Sequence, residues 1–415
     1  MSYQITLSGL TSIDKQISNI SNNIANVSTT GYRAATTQFS SIYSGAQPNG
    51  VEVAAVSQNF SQPGSMSGTG KELDLAISGD GLFILKDGQG QSMYSRNGSF
   101  NLNANNQLVD AQGNSVMGFG LDANGGVEFG SLSELTIRSE GLVAQETSLV
   151  EFQANFDSRM SPLVANDFDQ TDPATYHSSY STQLFDSLGN EHTLTQYFLK
   201  TNTNEWQVHY SVDGEISPTT GANGAILQFN SDGQLNSIDG NLMFDAAGNP
   251  TQPDPTTNFN YVLANGANNL DIDVSYRATG QLGSEFSVVR NQTDGYASGE
   301  LIGVTVDNEG LVSANYSNGL LREQGMIALA NFTNLDGLRQ VNGTAWSETL
   351  ASGDPVFGQP SSGSFGKIES GTLESSNVNL TGELVSLISA QRNYQANAQT
   401  LSTLNQLSQT LFQNL

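Results

Sequence analysis

Near the start of the chain apolar residues recur at Leu10, Ile13, Ile17, Ile20, Ile24 and Val27, with spacings of 3, 4, 3, 4 and 3. This is a heptad seam of about three repeats and predicts an amphipathic helix. The helix is expected to end near Thr30, because Gly31 suits the left-handed position that closes many helices. Gly31, Tyr32 and Arg33 then form the hinge into a linker. At the other end Leu380, Leu384, Leu387, Ile388, Tyr394, Ala398, Leu401, Leu404 and Leu411 make a second stripe. Each stripe adjoins an irregular segment rather than a sheet, so the natural partner of each is the other. A terminal helical coiled-coil domain is therefore expected from residues 1–30 and 373–415. Its remaining faces, such as SNISNN (18–23) and NYQANAQ (393–399), use Asn, Gln, Ser and Ala where a solvated coiled coil uses Glu and Lys. Such faces can be buried against copies of themselves at modest desolvation cost.

Between the helical ends the texture changes to short apolar runs such as LDLAI (73–77) and LFIL (82–85), divided by Gly, Asn and Asp. GDG (79–81), DANGG (122–126), NSDGQ (230–234), DAAGN (245–249) and DNEGL (307–311) supply residues that tolerate positive φ at hairpin turns. The fold class expected is mainly β and multidomain, with nested topology. Residues 31–70 and 352–372 read as extended linkers running side by side. Residues 71–145 and 291–351 form an inner β domain, and 146–290 an inserted outer β domain. SPTTGANG (217–224) and NPTQPDPTTN (249–258) read as exposed loops in the insertion.

Charge narrows the function. With 14 Lys plus Arg against 40 Asp plus Glu, the net charge is −26, which disfavours nucleic acid and an anionic membrane surface. Cysteine is absent, so no disulfide, thiolate metal site or cysteine nucleophile is available. The first residues lack the basic and apolar regions of a cleavable signal peptide, and no stretch has the length of an apolar membrane span. An exported chain of this kind needs another route out.

Candidate chemistry is sparse. His177, His192 and His209 are isolated and fit no metal-binding spacing. GSMSGTGKE (64–72) superficially resembles a phosphate loop, but its first Gly is one residue too far away and Glu72 replaces the needed hydroxyl. The Asx-Gly turns match no calcium loop. No catalytic residue, cofactor or metal is expected, and the chain reads as structural rather than enzymatic.

SGL (8–10) followed by SNNIANVSTTGYR (21–33) resembles the N-terminal signature of the bacterial flagellar rod and hook axial protein family. LDLAISGDGLFIL (73–85), YSRNGSFNLNANNQLVDAQGNSVMGF (94–119) and LESSNVNLTGELVSLISAQRNYQANAQTLSTLNQLSQTL (373–411) resemble its shared β and C-terminal motifs. Length, the large insertion, and the stretches 294–319 and 325–338 are similar to the hook branch. The resemblance implies a hook subunit that polymerises into a curved, flexible tube, a universal joint passing motor torque from rod to filament. The alternative within the family is a distal-rod-like protein. Implied partners are further copies of the chain, a hook cap, the distal rod protein, a hook-length control protein, a hook-filament junction protein and the flagellar type III export apparatus. The implied location is the hook outside the cell, without membrane insertion.

Overall fold

The computed structural model describes residues 2–44, 47–122, 125–138, 140–164, 168–216, 224–244 and 256–413. The chain divides into two compact units. One comprises Met1–Ser139, Ile302–Asn315 and Leu321–Leu415, and the other Glu140–Leu301 and Tyr316–Leu320. The architecture is mainly β, with one long helix at each end of the chain.

In the first unit α1 (Ser2–Ala25) and α2 (Leu380–Gln413) lie against each other. Asn23 bonds Glu383 while Gly9 lies over Asn397, so the two run antiparallel. α1 ends at Ala25, short of the expected Thr30, and Val27 lies past its last turn. Asn26 is the cause: its N–H is shared between the carbonyls of Asn22 and Asn23, and its side chain bonds the Asn22 carbonyl. These local bonds and the following β-branched Thr29 and Thr30 compete with further helix.

Residues 35–44 and 47–58, expected within an extended linker, form the antiparallel strands β1 (Ala35–Ser44) and β2 (Gln47–Gln58), packed along α1. Register shifts between them at Gln38/Phe39 and Ser41/Tyr43 break the two-residue alternation by which a strand is recognised in sequence. Segments following this pair of strands meet segments preceding α2. Met66–Gly68 pairs with Thr372–Glu374, and Leu75–Ser78 with Lys367–Ser370. GSMSGTGKE therefore lies where two linkers pair.

The larger sheet of this unit runs from Leu301–Val306 through Leu311–Tyr316, Leu321–Ile327, Ser115–Leu121, Leu82–Lys86, Ser92–Ser95 and Ala345–Ser347 to Arg339–Val341. Its core gathers Leu82, Ile84, Tyr94, Phe119, Phe332 and Trp346. Phe60 packs edge-on against Trp346 at 5.1 Å, and the Trp346 indole donates to Gln58, fastening the end of β2 to this sheet.

In the second unit Ser178–Phe185, Glu191–Asn202, Glu205–Val212, Ala225–Phe229 and Leu235–Ile238 form an antiparallel sheet. Leu149–Asp157 is the spine of another, with Leu270–Ser275 and Gly280–Leu282 parallel to it and Ser287–Thr293 antiparallel. Both contribute to one core rich in aromatics, in which Phe152 stacks on Phe198 and Phe156 lies 4.8 Å from Trp206. Inside it the Tyr210 and Tyr276 hydroxyls are 2.8 Å apart, and Tyr276 donates to Gln196.

One turn recurs throughout: Asp or Asn, two residues, Gly or Asn, then a residue that leads into or opens the next strand. In DGQGQ (87–91), DAQGN (110–114), DSLGN (186–190), NSDGQ (230–234) and DNEGL (307–311), the first side chain accepts the N–H groups two and four residues on. The glycines adopt positive φ, and Asn106 takes that role in NANNQ (103–107). Many carboxylates that would otherwise suggest cation binding are thus occupied in turning the chain. DAAGN, and most of SPTTGANG and NPTQPDPTTN, lie outside the described residues.

The histidines serve the second unit. His177 accepts the Lys200 N–H at Nδ1, so its Nε2 donates to the Ser161 carbonyl. His209 stacks on Phe168 at 4.1 Å. His192 sits between Asp213 (2.6 Å) and Asp186 (3.3 Å). Burial opposes its charged form, but the bonds to Asp213 and Asp186 outweigh it and raise its pKa. Stability from this raised pKa is fully present below the ordinary histidine range and lost as pH rises through the folded value. Asp186 and Asp213 are lowered despite burial, by Asn190 and by His192 respectively, so their contribution is present above the ordinary carboxylate range and lost on acidification. Urea denaturation followed by Trp206 fluorescence should show this unit weakening from pH 5.5 to 8.5 by less than about 1 kcal/mol, since Asp213 is half exposed. His192→Gln should flatten that part of the profile.

Candidate assembly site

Two features of the first unit bear on function: the helix pair and the clasp beneath it. The seam between the helices is built partly from small residues. Gly9 and Ala390 are buried in it, with Ala390 1% exposed, and Ile20 is 6% exposed. Leu10, Ile13, Ile17, Ile24 and Val27 are half-buried, as are Ala398, Leu401 and Leu404. Leu384, Ile388 and Tyr394 remain 44%, 51% and 41% exposed. Ile20 is therefore buried in the single chain, while these three are left largely uncovered. The Leu411 side chain lies outside the described residues.

The polar residues of α1 are specific. Asn23, 1% exposed, donates to both the Ala35 carbonyl and Glu383, and accepts from the Ala35 N–H and the Tyr32 hydroxyl. One buried amide thus joins α1, α2, Tyr32 and β1. Burial, with the charge of Glu383, pushes the Tyr32 phenol up and keeps it a donor. Asn19 also bonds the Ala35 carbonyl, and Ser12 the Val51 carbonyl.

Below the helices lies a charged clasp. The side chains of Arg33 and Glu374 are fully buried, with Arg33 Nη1 2.8 Å from Glu374 Oε1, and Arg96 Nη1 is 3.5 Å from Glu374 Oε2. Arg96 also donates to the carbonyls of Ile77 and Gly79. Burial lowers Arg96 to about 10, Glu374 opposing and Arg33 adding to the effect, so it stays charged at neutral pH. The Arg33 nitrogens have no aligned hydrogen-bond acceptor among the described residues, so Arg33 is held by charge and packing. Glu374 also accepts the Gly64 N–H through Oε1, and its own carbonyl accepts the Gly31 N–H. Asn377 completes the join, accepting from the Ala34 N–H and donating to the carbonyls of Asn59 and Gln62. Both linkers and the sheet are therefore tied at one carboxylate.

Gly31, Tyr32 and Arg33, expected as a hinge, all lie in this clasp. Gly31 has φ +70°, and a Cβ there would stand 2.5 Å from the Asn97 nitrogen. Gly31→Ala combines that contact with a left-handed penalty of about 1–2 kcal/mol, so thermal melting of the first unit should show a loss of at least about 2 kcal/mol. Glu374, Arg96 and Asn377 are not singled out by the sequence, and Asn23, on a face expected to be buried against copies of the chain, is instead buried within it. The available signal was the isolation of Arg33, since no charged residue follows it until Glu52: a lone cation in an uncharged stretch is a candidate for burial with a distant partner.

Comparison with known proteins decides the relationship. The chain matches the family descriptions "Flagella basal body rod protein" over residues 4–33, "Flagellar hook protein FlgE/F/G D1 domain" over 76–145, "Flagellar basal body protein FlaE D2 domain" over 155–296 and "Flagellar basal body rod FlgEFG protein C-terminal" over 369–414. It is 36% identical to the flagellar hook protein FlgE of Salmonella typhimurium, with 99% of each chain covered. The chain belongs to the flagellar hook protein family. The Escherichia coli FlgE is 34% identical over 99% of each chain, and that of Rhizobium meliloti 33% over 98% of this chain and 96% of its own. The crystal structure of Helicobacter pylori hook protein FlgE2 shares the fold, with a TM-score of 0.54 at 14% identity, covering 76% of this chain and all of that one. In this hook-family chain the rod-type N-terminal match spans α1 through Arg33, and the C-terminal match contains Glu374 and α2. The clasp thus joins segments matched separately.

Proposed function

We infer that this chain is the structural subunit of the flagellar hook and that it polymerises through its terminal helices. The observation that carries the reading is the uncovered face of α2, where Leu384, Val385 and Ile388 are 44–60% exposed on a helix with almost no charge. A helix face that is apolar and uncharged is costly to leave in water and inexpensive to bury against a copy. Head-to-tail contacts that do not close give an open helical tube. Leu10, Ile13, Ile17, Ile20, Ile24 and Val27, with Leu384, Ile388, Tyr394, Ala398, Leu401, Leu404 and Leu411, form the helical contact layer, and Gly31, Tyr32 and Arg33 its hinge.

In this reading the division is fourfold: terminal helices, clasped linkers, inner β domain and inserted outer β domain. The helices and clasp carry torsional load, while the β domains slide as the tube bends, making the tube a universal joint between rod and filament. The hook cap, distal rod protein, length-control protein, junction protein and type III export apparatus are its proposed partners, with export independent of a cleaved signal peptide. Deleting the gene should leave basal bodies without hooks or filaments in electron micrographs, and the wild-type gene should restore curved hooks. Normal flagella in the deletion strain, or a straight polymer from the purified chain, would overturn the reading.

A further inference from the structure

α1 and α2 together carry only four charged side chains: Asp14, Lys15, Glu383 and Arg392. Glu383 is engaged by Asn23. Asp14 and Arg392 are exposed, and neither meets an ion-pair or hydrogen-bond partner among the described residues. Their positions are not arbitrary. Arg392 follows Leu384, Val385 and Ile388 by 8, 7 and 4 residues, so it stands on the same uncovered face of α2. Asp14 lies on a second stripe of α1, with Leu7, Leu10, Ile17, Ser21 and Ile24 at heptad-like spacing. Leu7 is exposed there, and Leu10, Ile17 and Ile24 are only half-buried. Lys15 is about 100° further round the helix. Each helix therefore presents one apolar stripe with a single charge, and the two charges are opposite.

We propose that Arg392 of one copy pairs with Asp14 of a neighbouring copy, across a contact between the outer stripes of α2 and α1. The proposal rests on the terminal helices being the contact layer of the polymer. Copies in a polymer of one polarity share their axial direction, so α2 of one meets α1 of another antiparallel, as within the chain. With Arg392 level with Asp14 in that orientation, Ile388 falls beside Ile17 and Ser18, and Leu384 and Val385 beside Ser21 and Ile24. The apolar stripes then cover each other, and the one cation in that layer meets the one anion. An unpaired charge buried in that apolar layer is strongly unfavourable, which makes the pair a determinant of register as well as of affinity.

The experiment expresses charge-reversal variants of the full chain in a strain lacking the native copy and counts hooks by electron microscopy, with total chain level measured alongside. Arg392→Asp and Asp14→Arg should each reduce hook-bearing cells at least tenfold at unchanged chain level. The double variant D14R/R392D should restore them to within threefold of wild type. Melting of the purified single variants should match wild type, because both side chains are free in the monomer. Normal hook numbers in either single variant would overturn the pairing, as would a double variant that stays defective while its monomer melts normally. A Leu384→Ser/Ile388→Ser variant separates the two readings. If it assembles normally, the helical contact layer itself is wrong; if it fails while the charge variants assemble, only the pairing is wrong.

Discussion

Glu374→Ala is expected to cost about 3–5 kcal/mol in the first unit, because it leaves Arg33 and Arg96 buried without the carboxylate they share. The measurement is urea denaturation followed by Trp346, which lies in that unit and reports its core. Direction alone is a weak test, since any buried truncation destabilises, so the ordering among variants is the sharper one. Glu374→Gln keeps an oxygen for the Gly64 N–H but removes the charge, and should fall between wild type and Ala. Arg33→Met removes one cation of two. The remaining Arg96–Glu374 pair is matched and still supported by the Ile77 and Gly79 carbonyls, so this variant should lose less than Glu374→Ala. Equal losses in Glu374→Ala and Arg33→Met would mean that the clasp is packing rather than electrostatics. Functionally, a loosened clasp frees the helix pair from the sheet. Cells carrying Glu374→Ala should make few hooks even at a growth temperature where the chain remains folded.

Ile20→Asp should abolish hook assembly, with hook-bearing cells reduced at least a hundredfold, while both β regions stay folded. Ile20 is the most buried of the large seam residues of α1, and a carboxylate there enters an apolar contact one turn from Glu383. Such a charge is either uncompensated or must be expelled by separating the helices. Ile24, half-buried, should tolerate Asp better, and Ile20→Leu should assemble. Trp206 and Trp346 report the two units separately, so retention of both denaturation transitions in Ile20→Asp would show that the defect is confined to the helices. Hooks of normal number from this variant would mean that the seam is dispensable.

How much of this was legible in the sequence differs by element. The helices were, because a 3–4 spacing over three repeats has no other economical reading. So were the hairpin turns, where an Asx residue and a Gly three positions later state the local backbone geometry. The β1–β2 pair was not, because two bulges erase its alternation and its inner face is covered by the polar side of α1, through Ser12, Asn19 and Asn23, rather than by an apolar layer. The clasp was not legible either. Glu374 lies 341 residues from Arg33, and nothing local marks it as the partner of two buried arginines.

The sequence by itself determined that the chain has two amphipathic helices around a β interior, and that their polar faces are unsuited to bulk water. Only the tertiary structure decided which side of each helix is inside. The large apolar residues of α2 suggested a seam through Leu384 and Ile388, yet those two are turned largely outward, while Gly9 packs over Asn397 and Ala390 is buried. Backbones approach most closely where side chains are small, and a one-dimensional pattern weights bulk, not closeness of approach. The larger side chains are thereby left exposed on a surface that a second copy can cover.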